Sequence, residues 1–233
     1  MRSFTNLSWP DGAYGAEFRP FGTKQHLLTA VAVDWAVGEP TIPVSVSVVH
    51  LRIRPAAVLD VDEQSLTIGF WTTVIESADG TGDQLRHLDQ VLVGARRHAS
   101  ILAGHHFEAD LLTAVKLADR RQPGVEGVSE AWADRTVRER GVTRMVDTCH
   151  DVDPANRPTL DVPLDPPILT GPIDPGAASR LAAASLARCL AIGLVAAVHA
   201  GRFRWPGTFK VPAAVDHAAW DLLEPAAGRA PAA

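Results

Sequence analysis

Cysteine is nearly absent, with Cys149 and Cys189 the only two in 233 residues. Two thiols cannot build a disulfide framework or an all-thiolate zinc site, and their scarcity fits a reducing cytoplasm. Aromatic residues are also few, at 6% of the chain, so aliphatic side chains must fill the core. There is no excess of basic charge. The formal net charge of −5 excludes a global cationic field and confines any nucleic-acid binding to a local patch. Met1 to Pro10 lacks an apolar run of signal-peptide length, so secretion is not expected.

Long apolar runs are rare too. The segment from Leu181 to Ala200 is long enough to span a bilayer, but Arg188 sits near its middle and alanine carries its hydrophobicity. A charge is expensive in lipid, so the segment reads as a buried core helix and no membrane partner is expected. A chain of this length is most simply one α/β domain.

The pattern is β-first and then alternating. Leu27 to Ala36 is a continuous apolar run, a buried strand by length and valine content. Pro43 to Arg54 alternates Val44, Val46 and Val48 with Ser45 and Ser47, which predicts a strand with one face buried. Leu66 to Ile75 reads as a third strand. Asp79 to Asp83 is a loop, with Asp83 placed to cap the next helix. Gln84 to His98 carries Leu85, Leu88, Val91, Leu92 and Ala95 on one helical face. Ile101 to Ala103 predicts a fourth strand, Glu108 to Asp119 a helix, and Val142 to Thr148 a fifth strand. A proline-rich stretch, Pro154 to Pro175, leads to the last helix, and the Ala/Pro-rich tail from Pro225 reads as disordered. No internal repeat is present.

The most informative stretch is Ser100-Ile-Leu-Ala-Gly-His-His-Phe-Glu-Ala-Asp-Leu-Leu112. A short strand ends at Gly104 and Asp110 follows on a helix, a common way to deliver a carboxylate for metal-dependent phosphoryl chemistry. The stretch resembles the second motif of the DEDD 3'–5' exonucleases, Gly-His-Asn-x-x-Phe-Asp-Leu. Gly104, His105, Asp110 and Leu111 match, while His106 stands for the Asn and Ala109 for the Phe. Asp34, in Ala32-Val33-Asp34-Trp35-Ala36, lies where the family carries Asp-x-Glu. Asp147-Thr148 resembles the Asp-Thr pair closing the fifth strand, and Ser185 to Ala191 resembles the last motif, Ala-Leu-x-Asp-Ala-x-Ala. The element order fits as well. The resemblance spans roughly Leu27 to Ala200. It implies a ribonuclease H-like fold, a central mixed sheet of five strands flanked by helices, in an exonuclease-like domain over 27–204. Residues 1–26 would then be an N-terminal extension and 205–233 a C-terminal one.

The departures bear directly on function. The family's four carboxylates hold two divalent metals about 4 Å apart, one activating water and the other stabilising the leaving oxygen. Asp34 and Asp110 survive as candidate catalytic and metal-binding residues. Ala36 replaces the first motif's Glu and Arg188 the last motif's Asp, and the general-base position falls on Ala183 or Ala184. The resemblance therefore implies an exonuclease relative with impaired catalysis and weak or absent Mg²⁺ binding, acting through nucleic acid or a protein partner. Two alternatives stay open. One is an active Mg²⁺-dependent 3'–5' exonuclease drawing on Asp60, Asp62, Glu63, Glu108 or Asp147. The other is a scaffold or an unrelated chemistry on the same fold.

Arg188 admits two readings. Its guanidinium either pairs with Asp34 and Asp110 in place of the metal charge, or snorkels to the surface. His105 and His106 suggest a structural or phosphate-facing role in substrate binding, because adjacent side chains diverge and rarely chelate one ion. Strand alternation sends Cys149 and His150 apart, which argues against a Cys–His dyad; Asp147 reads as orienting the strand end. Arg96-Arg97, Arg120-Arg121, Arg135, Arg138, Arg140 and Arg144 are either a solvated face or a nucleic-acid groove with Trp132 for stacking. Arg202-Phe203-Arg204-Trp205 has the same ambiguity.

Overall fold

The apolar run after residue 25 forms the strand on which the architecture is built. In a computed structural model describing residues 1–7, 26–38, 41–54, 56–135, 143–170, 175–219 and 223, it becomes β2, His26–Val37, buried on both faces. Strand β3, Ile42–Ile53, pairs with β2 antiparallel, and β5, Ile68–Val74, pairs antiparallel with β3. On the other side, β6, Ala99–Gly104, and β7, Arg144–Asp147, add in parallel. The fold is α/β, as expected.

The sheet is larger than the five strands read from the sequence. Among the described residues it has seven, because β1, Arg2–Thr5, extends the β5 edge and β8, Leu169–Thr170, pairs in parallel with Ala36 and Val37 of β2. Both are too short to carry a readable alternation. A separate two-stranded ribbon joins β4, Leu59–Asp60, to β9, Phe203–Arg204.

Among the described residues, five α-helices cover the two faces. Helix α1, Thr81–His98, α2, Phe107–Leu117, and α3, Pro123–Ala133, pack on one side against Val31, Val33, Val46 and Val48. Helices α4, Ala178–His199, and α5, Val211–Ala219, pack on the other against Leu28, Ala30, Val49 and Leu51. Helix α4 is long and apolar enough to cross a membrane, yet 78% of its apolar window is buried within the protein. It acts as the core helix of its layer.

This layering overturns the one-faced reading of β3. Ser45 and Ser47 are both fully buried, because they point under α4 while Val46 and Val48 point under the opposite helices. Alternation of valine with serine marked two different interiors, not an interior and a surface. Asp83 is not the α1 cap either: the helix begins at Thr81 with Gly80 in that position, and Asp83 falls in its first turn. Helix α3, α5 and the ribbon were not anticipated. Val142, Arg138, Arg140 and the tail from Pro225 lie outside the described residues.

The turn from β6 into α2 is tight. A Cβ at Gly104 would run into the side chain of fully buried Phe107, whose Cγ would lie 2.6 Å away. Phe107 is pinned in turn against buried Trp132, with ring centroids 5.2 Å apart. Gly104→Ala should therefore destabilise the fold by about 1–3 kcal/mol, the usual range for forcing extra carbon into a packed core. Denaturant unfolding checks this, and a change below about 0.5 kcal/mol would show that the turn relaxes freely.

Candidate functional site

The C-terminal ends of β2, β6 and β7 lie side by side, so side chains just beyond them converge. Asp34 ends the continuous buried run of β2 at a bulge, where Asp34 faces Ser45 but Trp35 faces Pro43 across the pair. Bulges bend a strand and re-aim its side chains. From here Asp34 reaches α4 and Trp35 reaches α2.

Asp34 is 1% exposed and both of its oxygens are engaged. Oδ1 accepts from Arg188 Nη2 at 2.7 Å, and Oδ2 accepts from the Ser45 hydroxyl at 2.6 Å. Arg188 is itself buried, and its Nη2 also donates to the Val33 carbonyl at 3.0 Å. Of the two readings of Arg188, the structure holds the buried ion pair. Ser185, one turn earlier on α4, lies 2.8 Å from Ser45 and 2.9 Å from Ser47, and Ser47 lies 2.9 Å from Thr72. This ladder of buried hydroxyls supports the carboxylate from below. Sequence reasoning missed it, although Ser185 and Arg188 fall three residues apart on one helical face.

Asp110, in the first turn of α2, accepts from Trp35 Nε1 at 2.8 Å. Burial is the main influence on its carboxyl and raises its pKa to about 7, against the opposing pull of the Trp35 hydrogen bond and the Arg188 charge. The charges of Asp34 and Asp147 push the same way as burial. Asp110 thus lies close enough to feel all three groups, although it makes no ion pair with Arg188. Asp147 closes β7, and its Oδ1 accepts from the backbone amides of His106 at 3.2 Å and Cys149 at 3.0 Å. Its Oδ2 is buried without a hydrogen-bond partner among the described residues.

The two adjacent histidines do not diverge as expected. His106 has φ of 54°, the one non-glycine residue in the left-handed region among those described. That backbone turns its ring beside His105, with centroids 4.7 Å apart. Strand alternation also fails past Asp147, because the chain turns there. Cys149 Sγ consequently lies 3.3 Å from His106 Nε2, a partner that local sequence spacing could not reveal. His105 is buried, and desolvation lowers its pKa against the opposing pull of Asp165, which approaches its Nε2 at 3.2 Å.

Other candidates are occupied elsewhere. Asp60 pairs with Arg204, Asp62 accepts from Gln64 and Ser65 in its own turn, and Glu63 accepts from the Lys210 amide. Glu108 is exposed on α2. Ala36 is buried between β3 and β8. Trp132 is fully buried and unavailable for base stacking, a correction that follows from its packing on Phe107. Arg135 pairs with Asp151 and Arg121 with Glu126.

A cavity of about 600 Å³ opens over this end of the sheet. Asp34 and Arg188 line it, and Val162, Pro166, Ala184 and Val215 make much of its apolar wall.

The raised Asp110 pKa has a stability consequence. The group is protonated in both folded and unfolded chains below about pH 4, so burial carries no ionisation penalty there. As pH rises to about 7 the unfolded chain ionises first, and stability falls across that window. Asp110→Asn keeps an acceptor for Trp35 and should remove this decline, gaining on the order of a few kcal/mol at pH 8 and little at pH 4. Urea unfolding at both pH values checks it; parallel profiles for the two proteins would mean the carboxyl is solvated. No protein-family model, curated protein or solved structure matches this chain.

Proposed function

We propose that this chain is a ribonuclease H-like relative of the 3'–5' exonucleases that has lost two-metal hydrolysis and works by binding a partner. The observation that carries the reading is the buried Arg188–Asp34 contact of 2.7 Å. A two-metal centre needs carboxylate oxygens free to coordinate. Asp34 has given one oxygen to a guanidinium and the other to Ser45. Asp110 has a pKa raised to about 7, which weakens it as a ligand at neutral pH. The residues present do not suit Mg²⁺.

Other features support the same relationship. The elements β2, β3, β5, α1, β6, α2, β7 and α4 occur in the order that the motifs imply, with β1, β4, α3 and β8 set among them. Ala183 and Ala184, where the family has its general base, instead line the cavity wall. Of the two partner classes, the lining favours an apolar protein segment over nucleic acid. Trp132 is buried, and Arg121, Arg135 and Arg204 are paired with carboxylates. Both cysteines are free thiols, in keeping with a reducing, cytoplasmic setting.

The test is hydrolysis of single-stranded DNA and RNA by pure protein in Mg²⁺ or Mn²⁺, where no 3' trimming is expected. Arg188→Ala should lower stability by about 3–5 kcal/mol, because it strands a buried carboxylate, and added Mg²⁺ should restore part of the loss. Processive trimming abolished by Asp110→Ala would overturn the reading in favour of an active exonuclease.

A further inference from the structure

We infer that His105, His106, Cys149 and Asp165 form a transition-metal site, with Zn²⁺ the best-suited ion, at the rim of the cleft. The inference stands apart from the proposed function, since none of these residues belongs to the Asp34–Arg188 pair.

Four donors of the right kinds converge. One ligand atom each from His105, His106 and Cys149 lies within 4.8 Å of the others. Asp165 Oδ1 approaches His105 Nε2 at 3.2 Å and His106 Nε2 at 3.7 Å, and Cys149 Sγ approaches His106 Nε2 at 3.3 Å. Tetrahedral zinc with bonds of about 2.0–2.3 Å sets its ligand atoms roughly 3.3–3.7 Å apart. Two imidazoles, a thiolate and a carboxylate suit Zn²⁺; Mg²⁺ would require oxygens.

Hydrogen bonding orients the first ligand. The Thr148 hydroxyl donates to the Gly104 carbonyl at 3.0 Å, so its oxygen accepts from His105 Nδ1–H at 2.9 Å. That makes Nδ1 a donor and leaves Nε2 as the ring atom facing the Asp165 carboxylate at 3.2 Å. A histidine that donates its other N–H in this way is the usual arrangement at a metal.

The backbone is arranged to the same end. Asp147 Oδ1 gathers the amides of His106 and Cys149, which brings both ligands to one oxygen. His106 holds a left-handed conformation, and such strain in a non-glycine residue persists where surrounding structure enforces it. Asp165 also lines the cavity, in the segment whose Leu164 carbonyl lies 3.5 Å from Arg188 Nη1. A bound ion would tie this wall of the cleft to the ends of β6 and β7.

The test uses the full-length, tag-free protein, stripped with chelator and titrated with Zn²⁺ by calorimetry and with Co²⁺ by absorption. One ion per chain is expected, with a thiolate-to-Co²⁺ charge-transfer band and a rise of several degrees in Tm. Cys149→Ser should abolish the band, and His106→Ala and Asp165→Asn should each weaken binding at least about tenfold. All three side chains are at least partly exposed, so these variants should fold, which circular dichroism checks. Asp110→Ala should bind Zn²⁺ as the wild type does, which separates this site from any ion held by the sheet-end carboxylates. Binding that is absent, or that survives both Cys149→Ser and His106→Ala, would overturn the inference and leave the His105–Asp165 contact as an ordinary ion pair.

Discussion

A guanidinium and a carboxylate buried together at the end of the central strand organise the rest of this molecule. Arg188 comes from the core helix α4 and Asp34 from β2, so their contact fastens the helical layer to the sheet at one end. Neither charge can be removed alone without leaving the other in a low-dielectric interior, a loss of about 3–5 kcal/mol in comparable buried pairs. The hydroxyls of Ser45, Ser47, Ser185 and Thr72 complete the arrangement by giving the pair polar neighbours beneath α4. Polar groups at this depth must be hydrogen-bonded, and most of these are.

The sheet end carries two separate electrostatic solutions. On the α4 face, a fixed positive charge neutralises Asp34. On the α2 face, Asp110 makes no ion pair among the described residues, and burial instead raises its pKa to about 7, with Trp35 donating to it. A few ångströms along the same edge, nitrogen, sulfur and oxygen donors gather around His106. The cavity above it is walled mainly by proline, alanine and valine.

Much of the frame was legible in the sequence because periodicity reports packing. The run from Leu27 and the apolar face of α1 each bury one continuous surface, and their spacing says so. The short strands β1 and β8 were not legible, since two to four residues carry no period. Ser45 and Ser47 misled because a strand with two different interiors alternates just as one with a wet face does. Arg188 could be placed on a helical face, but pairing with Asp34 and Asp110 and snorkelling to the surface both stayed open, because Asp34 lies 154 positions away. The contact of Cys149 with His106 was hidden for a similar reason. It depends on a left-handed residue and on a strand that stops at Asp147, and neither is written in local spacing.

Arg188 and Asp34 should stabilise the fold as a coupled pair. A double-mutant cycle with Arg188→Met and Asp34→Asn, followed by denaturant unfolding, measures that coupling directly. The account predicts that each single variant loses about 3 kcal/mol or more, while the double variant recovers much of the loss, giving a coupling above about 2 kcal/mol. Additive losses, with a coupling below about 0.5 kcal/mol, would contradict it.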